Sequence, residues 1–139
     1  CIPVKEIRDV FVAGRKFEYL KERMLGYEEL MKLPVMCLEG NTSTRTYVEQ
    51  FLASKQVTIR PEFELATSDM LIQFAVRNLG IASVVRNFAE EHLTEGDLFE
   101  LRFLEEIPAR TFCIVANERI PLSAAAATLM NVLVQGTSQ

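Results

Sequence analysis

The chain has 139 residues, of which 49% are hydrophobic and 24% charged, and these proportions are ordinary for one globular domain. Its net charge is −4, and fifteen Lys and Arg residues are scattered among nineteen acids, so direct binding of nucleic acid by this chain is not predicted. The chain has neither a long uncharged apolar run nor a basic leader followed by an apolar segment, so neither a transmembrane helix nor a signal peptide is predicted.

The first elements are two buried strands separated by short helices. The apolar run from Ile7 to Ala13 predicts a strand that ends at Gly14. Residues 16–24 predict a short helix, and residues 27–33 a second one that Pro34 stops. Val35 to Leu38 then predicts a short buried strand.

A hydroxyl-rich turn, Asn41-Thr42-Ser43-Thr44, follows this strand and opens the next helix. The helix is predicted from about Thr44 to Lys55, because its apolar residues share one face. Ser43, Thr44 and Thr46 can each cap it, and Thr46 with Glu49 has the spacing of a capping box. Four polar residues exceed what one cap requires, and that surplus indicates a ligand contact.

The same arrangement then repeats. Phe63 to Ala66 predicts a strand, and the turn Thr67-Ser68-Asp69 opens a helix that we expect to end at Gly80 with positive φ. Ile81 to Val85 is almost entirely apolar, which is typical of a parallel strand covered on both faces.

The last third of the chain predicts two helices and two strands. Asn87 is expected to cap a helix that stops at Gly96. Residues 98–103 alternate like an edge strand, and residues 109–116 predict a longer apolar strand. Ser123 is expected to cap an alanine-rich terminal helix.

Catalytic and metal-binding patterns are not found in the sequence. His92, the one histidine, lies among acids and is interpreted as an exposed helix residue without a nucleophile or metal-ligand partner. No phosphate-binding glycine motif occurs, and the adjacent carboxylates are interpreted as solvent-facing. Three separated cysteines, Cys1, Cys37 and Cys113, favour neither disulfides nor zinc and indicate a reduced compartment. We therefore predict no enzyme, no catalytic residues, no cofactor and no metal.

The two polar turns are the predicted ligand site. Each follows a strand of an open α/β sheet, where ligands bind, and each opens a helix, whose positive dipole end suits an anion. Arg45 can pair with a carboxylate ligand, and its charge at a helix start calls for a compensating anion or acid; the alternative is an ordinary surface arginine. N-capping alone remains the alternative for the hydroxyls. The predicted ligand-binding residues are Asn41, Thr42, Ser43, Thr44, Arg45, Thr67 and Ser68.

In order and spacing, the chain resembles the effector-binding domain of a LysR-type bacterial transcriptional regulator. The resemblance covers essentially the whole chain. It is carried by the Pro-apolar strand with its Ser/Thr-Arg helix start, by the turn Asn-Leu-Gly-Ile-Ala at residues 78–82, and by Leu-Ser-x-Ala-Ala at residues 122–126.

The resemblance implies an α/β fold similar to a type 2 periplasmic binding protein, with a mixed, mainly parallel sheet flanked by helices. Residues 14–109 would form the second of two lobes, residues 7–13 and 110–116 the crossover strands, and residues 122–136 a helix packed on the first lobe. The effector would lie in the interlobe cleft and contact the two polar turns.

The resemblance also implies partners. The protein would be cytoplasmic, would form a homodimer or tetramer, would not contact membrane, and would contact DNA only through an N-terminal helix-turn-helix that is not in this sequence. A solute-binding protein of a transporter shares the fold and is the alternative. An enzyme on the same scaffold is the third hypothesis, and turnover dependent on Ser43 or Ser68 would support it.

Overall fold

The computed structural model describes residues 2–114, with side chains from Lys5 to Thr111. The predicted terminal helix at residues 122–136 and the end of the predicted strand 110–116 lie outside the described residues.

Nine strands and three α-helices follow one another along this part of the chain. The strands are β1 (Ile2–Ile7), β2 (Asp9–Ala13), β3 (Met24–Leu25), β4 (Val35–Leu38), β5 (Phe63–Leu65), β6 (Ile81–Val85), β7 (Phe99–Glu100), β8 (Arg102–Phe103) and β9 (Arg110–Ile114). The α-helices are α1 (Ser43–Ser54), α2 (Ser68–Val76) and α3 (Arg86–Glu95). Two 3₁₀ helices, Arg15–Leu20 and Tyr27–Lys32, occupy the predicted short helices.

The chain divides into two compact units, and the larger one comprises residues 8–108. Its sheet has the spatial order β5-β4-β6-β2-β7. The pairs β4–β5 and β4–β6 are parallel, whereas β2 pairs antiparallel with both β6 and β7. A separate parallel pair joins β3 to β8. The α/β class and the mixed sheet are confirmed.

Helices cover both faces of this sheet because its central strands are apolar on both sides. In β2, Phe11 and Ala13 pack with α1 and the 3₁₀ helices, whereas Val12 packs with α2 and α3. Every residue of β6 is buried, as the unbroken apolar run predicted. The central part of the sheet is therefore packed on both faces, and the helices α1 and α2 begin at one of its edges.

The smaller unit contributes residues 2–7 and 109–114 to the described chain. There β1 pairs antiparallel with β9, in a register that joins Ile7 to Arg110 and contains an irregularity between Pro3 and Lys5. Residues 7–13, which were predicted as a crossover strand, include the last residue of β1 and the whole of β2. Their apolar part is β2 of the five-stranded sheet, and the strand that pairs with β9 is the less regular segment before it.

Two helix-end predictions are wrong. The positive φ expected at Gly80 occurs at Asn78, with φ 63°, and α2 has already ended at Val76. Gly80 is needed instead for close packing, because a Cβ there would lie 2.6 Å from the Pro34 carbonyl oxygen. Asn87 does not cap α3, whose N-cap is Val85, because the helix begins directly from the buried strand.

The end of α3 agrees with its prediction, and the segment at residues 98–103 agrees in part. Gly96 ends α3 in the left-handed conformation, with φ 89°. The predicted edge strand at residues 98–103 is two short strands in different sheets, since Leu101 turns inward between them and is buried.

We predict that Gly80→Ala destabilises the protein. The Pro34 carbonyl that the new Cβ would meet already accepts the Ile81 N–H at 2.8 Å, so backbone of the central sheet would have to move. The expected loss is about 1–3 kcal/mol in the free energy of unfolding, measured by urea denaturation. Gly40→Ala is the matched control, because the nearest atom to its added Cβ is 3.6 Å away. Equal losses in the two variants would contradict the packing argument.

Candidate functional site

The fold places the two polar turns side by side. They follow β4 and β5, which are adjacent parallel strands with Leu38 opposite Leu65. The Glu39 N–H donates to the Leu65 carbonyl at 3.0 Å and continues the pairing one residue past β4. Because parallel strands end at the same edge of a sheet, the starts of α1 and α2 face the same region.

Thr42 is the N-cap of α1. Its hydroxyl oxygen accepts the Arg45 N–H at 3.2 Å, and the hydroxyl donates to the Glu39 carbonyl at 3.1 Å. The Thr46 hydroxyl donates to the Thr42 carbonyl at 3.1 Å rather than forming the possible capping box with Glu49. The Thr42 hydroxyl is thus occupied within the turn, while the side chains of Asn41 and Ser43 are exposed and that of Thr44 is half-buried.

Thr67 plays the same part for α2. Its hydroxyl oxygen accepts the Met70 N–H at 3.2 Å. Ser68 is half-buried in the first turn of the helix, next to the exposed Asp69. In both turns a threonine is the N-cap of the helix and the next residue is a serine. Ser43 is exposed, and Ser68 is half-buried.

Arg45 is bound by three protein groups. Its Nε lies 2.5 Å from Glu49 Oε1, and its Nη1 lies 2.9 Å from Glu64 Oε1 and 3.1 Å from the Leu38 carbonyl oxygen. Its side chain is only 12% exposed. The contact with Glu64 ties α1 to β5, and the contact with Leu38 ties it to β4.

Of the two partners that the position of Arg45 suggested, an anion or an acid, the structure contains acids of the chain. Burial lowers the pKa of Arg45, but hydrogen bonds to Glu64 and Glu49 outweigh this effect and leave the pKa above its ordinary value. The compensating acids are thus glutamates of the chain. Glu49 could be found in the sequence at i,i+4 from Arg45, whereas Glu64 becomes a partner only through the pairing of β5 with β4.

Behind the first turn, the described residues leave only a cavity of about 10 Å³. Cys37 and the buried Ser83 lie at its wall, and Thr44 and Arg45 close it from the helix side. A cavity of this size holds one water molecule at most. The cavity is therefore too small for a metabolite.

A second cluster of possible ligand groups lies away from these turns, at the end of α3. Donor atoms of His92, Glu95 and Asp97 lie within 4.8 Å of one another. His92 is half-buried, with its Nδ1 2.9 Å from Asp97 Oδ2, so its interpretation as an exposed residue without a partner is wrong. This pair links the last turn of α3 to the residue after Gly96.

The sheet and its two capped turns form an α/β unit with two helix starts at one edge. A protein-family model described as "LysR substrate binding domain" matches residues 1–138. The chain belongs to this family. The family is one of ligand-binding domains rather than enzymes, as the sequence predicts.

Solved structures of regulatory domains have the same fold. The CcmR regulatory domain of Synechocystis PCC6803, solved in complex with 2-PG, matches 97% of this chain and 65% of its own, with a TM-score of 0.81 and 18% identity. The QuiR effector-binding domain with shikimate matches 99% and 64%, with a TM-score of 0.78 and 10% identity. The CrgA regulatory domain of Neisseria meningitidis matches 97% and 67%, with a TM-score of 0.73 and 16% identity.

A curated relative is the HTH-type transcriptional activator CmpR of Synechocystis. It is 27% identical over 73 residues, which are 52% of this chain and 24% of CmpR. The chain thus aligns with about a quarter of that relative. Among residues 2–114, no helix has the length and apolar character needed to cross a membrane.

We predict that Thr42→Ala lowers the free energy of unfolding by about 1 kcal/mol, because the Arg45 N–H loses its capping acceptor. Thr42→Ser keeps the hydroxyl and is expected to unfold like the unaltered protein. Urea denaturation of both variants measures the difference. A serine variant as unstable as the alanine variant would show that the methyl group, and not the cap, is responsible.

We also predict an alkaline loss of stability from Cys37. Burial raises its pKa from 9.0 to about 11, with Glu49 and Glu64 adding to the effect and Arg45 opposing it. Since the folded protein holds this proton more tightly, the contribution is fully present below pH 9 and is lost as pH rises through 11.

The measurement compares the free energy of unfolding of two proteins that both carry Cys1→Ser and Cys113→Ser. One keeps Cys37, and the other also carries Cys37→Ala. The difference in free energy of unfolding should stay constant from neutral pH to pH 9 and fall between pH 9 and 11. Alkaline losses that are common to both proteins, such as those from Tyr27, cancel in this comparison. A difference that does not change with pH would contradict the shifted pKa.

Proposed function

We propose that this chain is the effector-sensing part of a LysR-type transcriptional regulator and that its two polar turns bind a small anionic metabolite. The observation that supports this most directly is the adjacency of two capped helix starts at one edge of the sheet. Helix starts present backbone N–H groups and positive dipole ends, which together favour an anion.

The start of α1 is better suited to the negative group than the start of α2. Asp69 lies in the first turn of α2 and would repel an anion, whereas the first turn of α1 contains no acidic residue. We assign the anion to Asn41–Thr44, where the exposed Ser43 can donate. Thr67 and Ser68 would then contact polar groups on the other end of the metabolite.

Arg45 takes part as a positioning residue in this proposal. Its guanidinium is held by Glu49, Glu64 and the Leu38 carbonyl, so it fixes the turn relative to both strands. It would also offset the acids beside the anion site. The pairing that the sequence suggested between Arg45 and a ligand carboxylate would use the part of the guanidinium not engaged by these groups.

Small effectors of this kind are bound by two of the structural neighbours. CcmR was solved with 2-PG and QuiR with shikimate, which is a carboxylate. We extend to this chain only the class of ligand, a compact and polar anion. Family membership favours the regulator over a transporter's solute-binding protein of the same fold.

The rest of the proposal concerns the whole regulator. A separate helix-turn-helix segment would contact DNA, since the acidic chain itself carries no basic block for phosphates in its sequence. The regulator would be cytoplasmic and would act as a dimer or tetramer. Effector binding would shift its conformational equilibrium to the extent that the two states differ in affinity for the effector.

The test is a thermal-shift screen of small carboxylates and phosphate esters, followed by calorimetry of any hit. Ser43→Ala should weaken binding by about tenfold, because a hydrogen bond to a charged group is lost, and Ser68→Ala should weaken it less. Thr42→Ser is the matched control, since it alters the same turn but keeps the cap. Thr42→Ala is unsuitable because it also weakens the helix.

Retention of full affinity in the double variant Ser43→Ala, Ser68→Ala would contradict the assignment to these turns. Chemical conversion of the bound compound by the protein, abolished in Ser43→Ala or Ser68→Ala, would instead favour an enzyme.

A further inference from the structure

A second cavity lies within residues 8–108, on the side of β6 away from the polar turns. Its volume is about 210 Å³. It is bounded by β2, by the strands β3 and β8, by the start of α3 and by the segment around Glu106. The polar turns follow β4 and β5, which lie on the opposite side of β6 in the sheet. We call this cavity the arginine pocket, after Arg8, Arg86 and Arg102 in its wall.

Aromatic side chains line the inner part of the arginine pocket. Tyr27 and Phe103 stack with a centroid distance of 4.2 Å and an angle of 6°, and Phe11 meets Phe103 edge-on at 5.7 Å. The Tyr27 hydroxyl donates to the Glu105 carbonyl at 2.6 Å, so its polar end is satisfied outside the ring stack. Phe11 and Tyr27 are buried and Phe103 is half-buried, so the apolar wall open to a ligand is formed chiefly by Phe103, which the other two rings hold in place.

Two of the three arginines are paired with acids of the chain. Arg8 forms an ion pair with Glu106, and Arg86 Nε lies 3.0 Å from Glu100 Oε1. Asp9 also lines the pocket, and it is buried with a partner of its own. The two ion pairs neutralise Arg8 and Arg86 and link the segments of the rim to one another.

Arg102 differs from the other two. It is exposed, and it forms neither an ion pair nor a hydrogen bond through its side chain with any residue in the described part of the chain. Its neighbour across the parallel β3–β8 pair is Met24, which is 50% exposed although it is a large apolar side chain. A guanidinium without a partner among residues 2–114 and an exposed thioether therefore lie together at a pocket with an aromatic wall.

We propose that the arginine pocket binds a compact carboxylate with an apolar or aromatic body. The guanidinium of Arg102 would bind the carboxylate, and the body would cover Met24 and lie against the aromatic wall. The pocket is smaller than the roughly 300–1,000 Å³ of sites for drug-sized ligands, so a single ring is the size that fits. This site is independent of the proposed function of the polar turns.

The test uses the full chain and phenylacetate as the probe. Titration of the ¹⁵N-labelled protein should shift the amide signals of Met24 and Arg102, with saturation at millimolar concentration. Arg102→Gln should weaken phenylacetate binding by tenfold or more. Arg60→Gln is the matched control, because Arg60 is also exposed but lies outside the pocket. Met24→Trp should block binding by filling the entrance.

Two further measurements serve as controls. The first distinguishes carboxylate recognition from apolar binding alone, and the second distinguishes this pocket from the polar turns. Phenylacetamide, which lacks the charge, should bind at least tenfold more weakly than phenylacetate. The double variant Ser43→Ala, Ser68→Ala should bind phenylacetate normally, so failure of the effector proposal would leave this result unchanged.

The proposal is overturned by any of four results. They are no shift at millimolar phenylacetate, equal affinity in Arg102→Gln, equal affinity for phenylacetamide, or shifts centred on Ser43 and Ser68 instead of the pocket.

Discussion

The parallel pairing of β4 with β5 is the constraint on which the polar edge depends. It brings together two turns that are well separated in the chain, and Arg45 then fixes the first turn to both strands. Because Arg45 is nearly buried and held by two glutamates, the start of α1 cannot move without breaking contacts to the sheet. The polar groups of the first turn are therefore supported by rigid elements and not by a free loop.

Two hydrophobic cores, one on each face of the five-stranded sheet, support this edge. The central strands send alternate side chains to opposite faces, and each face is closed by helices. Gly80 lets the chain at the start of β6 approach the Pro34 carbonyl. Every residue of β6, the strand that separates the polar turns from the arginine pocket, is buried. The two regions can therefore present different chemistry, one polar with helix starts and the other aromatic with guanidinium groups.

Local patterns predicted the elements well and their partners poorly. Apolar periodicity and hydroxyl clusters were sufficient to place α1, α2 and β6, because capping and burial act over a few residues. The pairing of Arg45 with Glu64 depends on how distant segments meet, and that of His92 with Asp97 depends on the left-handed turn after α3. The assignment of residues 7–13 to a crossover came from the family resemblance, whereas the pairing of β2 with β6 and β7 depends on distant segments that local patterns do not reveal.

The outer strands of the five-stranded sheet are very short. β5 has three residues and follows closely after Pro61, which has no N–H to donate, and β7 has two residues. Few unpaired backbone groups are thus available to a strand from another molecule. Self-association by lengthening this five-stranded sheet is therefore disfavoured.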